Sequence, residues 1–243
     1  MKLKKYFLII IAFLTSVFSR KSFEEFLNDN RGGIVFSFLD KSCDDLEWLE
    51  YRGLEVDNSV EPIKPDDLPS DFCDEPCRLV DEFHRKTVNE NVEWLLYFDY
   101  TTGEVIYCWK GDSSGCNGDY NGVHFKGKKI VSIHNHINGY YSFPSPENFD
   151  ILENDFEDYE IITSVNAFWI VEFKGEIPHE VRKAFQRSLA YKFEYIKVNL
   201  ILTRFGGSEI NQLIEEEISN YLLRGLDKKI NRIDLNLIKG RFG

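Results

Sequence analysis

No long basic run occurs anywhere in this chain of 243 residues, and its 41 Asp and Glu outweigh 29 Lys and Arg, for a formal net charge of −12. The electrostatic footprint of a nucleic-acid-binding protein is therefore missing. There is no internal repeat and no low-complexity tract, which argues against a repeat array. Cysteine is scarce and odd in number: Cys43, Cys73, Cys77, Cys108 and Cys116 leave at least one thiol outside any intramolecular bridge. Cys73 and Cys77 have no second Cys pair and no His at finger-like spacing, which argues against a structural zinc site there. Cys108 and Cys116 flank a polar, turn-rich segment and could bridge in an exported protein, although ordinary thiols are the leading reading.

What is present indicates a globular chain. Hydrophobic residues make up 43% and aromatic residues 15%, enough for one large domain or one domain with an appendage. Residues 1–5 (MKLKK) are a basic leader, and residues 6–18 are almost entirely apolar. About a dozen apolar residues are too few for a spanning helix but suit the core of a signal peptide. The first 20 residues are thus expected to direct export or membrane anchoring, with Val17 and Ser19 as a tolerable cleavage pair. The competing reading is a hydrophobic N-terminal helix packed on a cytoplasmic domain.

Residues 22–30 read as a short amphipathic helix, and residues 33–39 (GIVFSFL) as a buried strand. Residues 57–76 are acidic and carry Pro62, Pro65, Pro69 and Pro76, the marks of a linker, and residues 77–86 look helical. Residues 92–109 hold two aromatic-rich runs around Tyr100-Thr101-Thr102-Gly103, a β-hairpin signature. Ile130 to Ile133 form the apolar part of another strand, residues 146–154 start a helix, and two further strands flank Asn166. The expected class is α/β (α+β), a mixed β-sheet layered with helices. Residues 178–197 place Val181, Phe185, Leu189, Phe193 and Ile196 at helical spacing. Residues 208–223 do the same with Ile210, Leu213, Ile214, Ile218 and Leu222. The domain reading is a signal-like segment at 1–20, an N-terminal segment and linker at 21–76, the sheet domain at 77–176, and a C-terminal helical extension at 177–243.

The residues that carry chemistry lie in IHNHINGYYSFPSPENFD, residues 133–150. On an extended backbone alternate side chains share a face, so His134 and His136 can point at one ion. Zinc takes neutral imidazole nitrogen and keeps an open position when catalytic. Ser145 and Pro146 are a helix-start signal, with Glu147 and Asn148 in the first turn. Glu93 on the first hairpin strand is the candidate general base, and Glu90 the fallback. His84, His124 and His179 have no partner at useful spacing and are expected at the surface or in loops.

At these residues the chain resembles the JAMM/MPN (JAB) metallopeptidase-like family, closest to its prokaryotic and phage-type branches. That family has a Glu on an early strand, then His-x-His, then a short loop, then Ser-x-x-Asp opening a helix. Glu93, His134, His136, Gly139, Ser145 and Asn148 match, and the likeness covers residues 88–175. It implies an MPN/cytidine-deaminase-like architecture and one zinc ion on His134 and His136, with a third ligand from the helix start. It also implies Glu93 as proton carrier and Ser145 as oxyanion support. The reaction implied is hydrolysis of a peptide or isopeptide bond in a protein or peptide substrate, a ubiquitin-like protein being one candidate. Two positions depart from the pattern: Ile137 stands where the family has Pro, and Asn148 where it has Asp. Asp150 is the alternative third ligand if the helix starts late. An inactive MPN-fold interaction module is the other outcome the resemblance allows.

Overall fold

In a computed structural model of the chain, residues 46–113, 115–116, 125, 127–138, 141–146, 148–149, 157–173, 179–204, 209–225 and 235–242 are described. The expected targeting segment, the 22–30 helix, the 33–39 strand, Cys43, His124, Gly139, Glu147 and Asp150 lie outside them. No helix among the described residues is long and apolar enough to cross a membrane.

The hairpin begins the sheet. β1 (Trp94–Asp99) and β2 (Val105–Lys110) pair antiparallel, from Trp94 opposite Lys110 to Phe98 opposite Val105. Asp99 Oδ1 accepts the Thr101 N–H at 2.8 Å and the Thr101 hydroxyl at 2.6 Å, which closes the turn. Gly103 has φ +77°, and a Cβ there would collide with the Glu75 side chain, so the turn needs glycine. β3 (Ile130–Asn135) pairs antiparallel with the other edge of β1. β4 (Glu157–Thr163) then runs parallel to β3, and β5 (Ala167–Phe173) and β6 (Leu235–Arg241) add antiparallel. The result is an open, mixed six-stranded sheet in the order β2-β1-β3-β4-β5-β6.

Among the described residues four α-helices cover it: α1 (Leu46–Gly53), α2 (Asp74–Thr87), α3 (His179–Arg204) and α4 (Ile210–Gly225). Each face of the sheet has its own core. On one face Trp94, Leu96 and Phe98, Val131 and Ile133, and Ile161 and Ile170 meet Leu79, Val80 and Phe83 of α2 and Tyr51 of α1. On the other, Ile162, Trp169 and Val171 meet Phe185, Leu189 and Phe193 of α3 and Ile214, Ile218 and Leu222 of α4. This second core takes no residue from β1, β2 or β3, so the helices leave that half of the face to other residues.

Four expectations are corrected by packing. Residues 57–76 are not a free linker: Ile63, Leu68 and Phe72 are buried in the first core, where Phe72 stacks on Tyr100 at 5.2 Å. The C-terminal extension is not wholly helical, because it ends in β6, whose short polar sequence gives little strand signal. His84 is fully buried rather than at the surface; its ring stacks on Phe242 at 4.6 Å, and burial lowers its pKa to about 4. Val181 faces outward, 41% exposed, rather than joining the apolar stripe of its helix.

Trp169 is fully buried between α3, α4 and β6, with the Lys239 ammonium 4.7 Å from its ring centre. Trp169→Ala is expected to cost about 3–5 kcal/mol. Urea denaturation of the variant beside wild type checks this, and a loss under 1 kcal/mol would mean that the second core is not packed as described.

Candidate metal centre

The centre is built at the end of β3, where the period-two alternation of the strand decides which way each side chain points. Val131 and Ile133 enter the first core, so His134 and His136 fall on the opposite face, the half that the second core leaves open. Their ring centres are 5.2 Å apart. Asn135, between them, points the other way and is fully buried. Its Oδ1 accepts the Trp94 N–H at 2.7 Å, and its Nδ2 donates to the carbonyls of Thr87 and Val92, each at 3.1 Å. One amide thus ties the end of α2, the segment before β1 and β3 together.

That tie also places Glu93. Leu95 lies opposite His134 in the β1–β3 ladder, so Glu93, two residues earlier, shares the face of the imidazoles at the level of His136. The Gly111 N–H donates to the Glu93 carbonyl at 2.7 Å, and the Glu93 N–H to the Asp112 carbonyl at 3.2 Å, which fixes its backbone against the end of β2. Burial pushes the Glu93 carboxyl up to about 7, opposed by a hydrogen bond from the Cys116 N–H. A carboxyl held near neutrality is what proton transfer at physiological pH needs.

Both imidazoles have a defined orientation. His134 Nδ1 lies 3.4 Å from Glu160 Oε1 on β4, and its Nε2 accepts from Asn148 Nδ2 at 3.1 Å. His136 Nδ1 is 2.9 Å from the Tyr141 carbonyl, to which it donates. Burial holds both rings below the usual imidazole range, hence neutral. The Asn148 amide donating to Nε2 of His134, and the Tyr141 carbonyl accepting from Nδ1 of His136, both place the ring proton on Nδ1. This is the arrangement that orients metal-ligating histidines.

Asn148 closes the third side. Its Oδ1 accepts the Ser145 N–H at 2.6 Å, and its own N–H donates to the Ser145 carbonyl at 3.1 Å, with Pro146, Asn148 and Phe149 in 3-10 conformation. The turn is held from outside by α4, where the Ser142 N–H and hydroxyl both donate to the Glu215 carboxylate. Among the described residues, no three His, Cys, Asp or Glu converge on one point. The converging donors are two imidazole nitrogens and one neutral amide.

These groups open on a cavity of about 650 Å³ lined by Glu93, Cys116, His136, Ser145, Asn148 and Lys197, among others. Of the expected site residues, Glu93, His136, Ser145 and Asn148 meet in this cavity, with His134 behind them and Glu90 not part of its wall. Three features were not anticipated. Glu160 holds His134 from β4, the backbone of Tyr141 holds His136, and Cys116 borders the cavity as a thiol that burial pushes well above the usual range. Among the described residues no two cysteines are bridged: Cys108 is buried in the first core and Cys116 lies on the cavity side of the sheet.

No family model, no curated protein and no solved structure matches the chain. The site must therefore be read from its own geometry.

Proposed function

We propose that the chain is a zinc-dependent hydrolase of peptide or isopeptide bonds, with a site of the JAMM/MPN kind. The observation that carries this reading is the pair of buried, neutral imidazoles on one face of the strand end: His136, with Nδ1 held by the Tyr141 carbonyl, lines the cavity with Glu93, and His134 stands behind it with Nε2 on Asn148. His134 and His136 would hold one ion through Nε2, and Asn148 would add Oδ1 if its amide turned over and gave up the Ser145 N–H. When bound, zinc lowers the pKa of water toward about 7 and polarises a carbonyl. Glu93 accepts the proton at its carboxylate and returns it to the leaving amine, a role that its raised pKa suits. Ser145, in the same wall, donates to the carbonyl oxygen of the scissile bond. Glu160 and the Tyr141 carbonyl keep the rings from turning. The substrate is a protein or peptide chain laid across a cavity walled by Tyr141, Phe143 and Phe193.

A second reading, an inactive MPN-like interaction module, is favoured by one observation: the Asn148 amide donates to the His134 lone pair that a metal would need. Two measurements separate the readings. Purified wild type should hold about one zinc per chain, and His134→Ala with His136→Ala should hold none. Glu93→Gln should keep the zinc and lose hydrolysis of lysine-linked isopeptide and peptide substrates by roughly 10²–10⁴-fold, the usual weight of a general base. Zinc without hydrolysis in wild type favours the module, and equal zinc in the double variant overturns the site.

A further inference from the structure

α3 is apolar on two sides. One stripe, Phe185, Leu189, Phe193, Ile196 and Leu200, packs on the second core. A second stripe runs along Val181, Ala184, Ser188, Tyr191, Tyr195 and Val198, and all six are exposed. Leu202 continues it, and Tyr191 and Leu202 are 76% and 68% exposed. The steps along this stripe alternate three and four residues over the whole helix, the spacing of a coiled-coil seam and not of a solvent-facing surface. From Val181 to Leu202 the seam runs for about 32 Å at 1.5 Å per residue.

We infer that the outer stripe of α3 is a self-association surface, on which a second copy of this chain lays its own α3 antiparallel. The seam selects that partner by width and by charge. It is narrow at one end, with Ala184 and Ser188, and wide further on, with Tyr191 and Tyr195. Antiparallel pairing sets Val181 opposite Val198 of the partner subunit, Ala184 opposite the partner's Tyr195, and Ser188 opposite the partner's Tyr191. Every layer then joins small to large or medium to medium. The same register brings Arg187, on the flank of the seam, to Glu194 of the partner subunit, twice by symmetry, as a second cation beside the Lys197 that pairs with Glu194 at 3.2 Å within each chain. A parallel pair would set tyrosine on tyrosine and bring Arg187 toward the partner's Lys192, a like charge. An antiparallel pair shifted by one heptad would set Glu194 against the partner's Glu194. Charge and width therefore favour the same register.

Sedimentation velocity and light scattering on the full chain test this. Wild type is expected to be a dimer, and Tyr191→Glu with Tyr195→Glu a monomer. Because the paired tyrosine change could disturb the fold, the deciding variants are the charge changes on the exposed flank. Arg187→Glu alone and Glu194→Arg alone should each raise the dimer dissociation constant roughly tenfold or more, and the combined swap should bring it back toward wild type. A monomeric wild type overturns the inference, whether protease protection then shows the stripe covered by the chain's own residues 6–18 or phosphatidylcholine vesicles bind it. A dimer that the charge changes leave untouched, or a swap no better than the single changes, overturns it as well.

Discussion

Asn148→Asp is expected to tighten zinc binding by at least about 10–100-fold, the scale on which even outer partners of a ligand act. In the wild type, Asn148 Nδ2 donates to the His134 lone pair while Oδ1 is held by the Ser145 N–H. A carboxylate keeps the second bond but cannot make the first. Without metal it sets an anion against the Nε2 lone pair; with metal it supplies the anionic donor that the two imidazoles lack. The variant should therefore be less stable than wild type after chelation, and more stable than wild type in excess zinc. Competition titration against a chromophoric chelator reads the affinity, and thermal melts with and without zinc read the crossing. An unchanged affinity, with binding still lost in His134→Ala, would place the third donor elsewhere and remove Asn148 from the site.

The second large effect belongs to Glu157. Its carboxyl is buried on the inner part of the sheet with the Tyr97 hydroxyl as its hydrogen-bond donor, and Oε1 has no hydrogen-bond partner. Burial raises its pKa from 4.5 to about 8. A folded pKa above the unfolded one means that the folded state binds the proton more tightly. The stability it contributes is whole below about pH 4.5 and is lost as the pH rises through about 8. Glu157→Gln keeps the shape and the bond from Tyr97 and has no charge to bury. Its stability relative to wild type should be near zero at pH 4.5 and grow by up to about 1.4 kcal/mol per pH unit before levelling off above pH 8. Urea denaturation at a series of pH values reads that difference, and a flat line would mean that the carboxyl is hydrated.

Much of this fold is written in local pattern. Residues 92–109 declare a hairpin because two aromatic-rich runs and the Thr102-Gly103 turn act within a few residues of each other. That His134 and His136 share a face follows from strand periodicity alone. Glu93 was picked out by likeness to a family, but its neighbourhood was not, since its raised pKa comes from burial that the Cys116 N–H only partly offsets. Glu160 was illegible for a related reason: it is one carboxylate among 41 acidic residues, and only the parallel pairing of β3 with β4 brings it to His134. The Tyr141 carbonyl carries no sequence signal at all, because every residue has one. Proline in residues 57–76 marked irregular backbone correctly, but irregular does not mean unpacked, as Phe72 shows. Val181 was read into the wrong stripe because α3 has two, and one helical period cannot say which of them meets the sheet.

Asn135 has a consequence for how faithfully the chain folds. If β3 slipped by one residue against β1, His134 and His136 would swing into the apolar layer beneath α2, and the Asn135 amide would turn out toward the cavity. The slip would strip the Trp94 N–H and the Val92 carbonyl of the Asn135 amide and leave the Thr87 carbonyl with the Glu90 N–H alone, at roughly 1–3 kcal/mol for each group left buried and unpaired. Two imidazoles would meanwhile be pressed among Phe83 and its neighbours with nothing to bond. The residue between the histidines thus acts as a key for a single strand alignment, and a chain that folds at all arrives with both rings on the side where Glu93 waits.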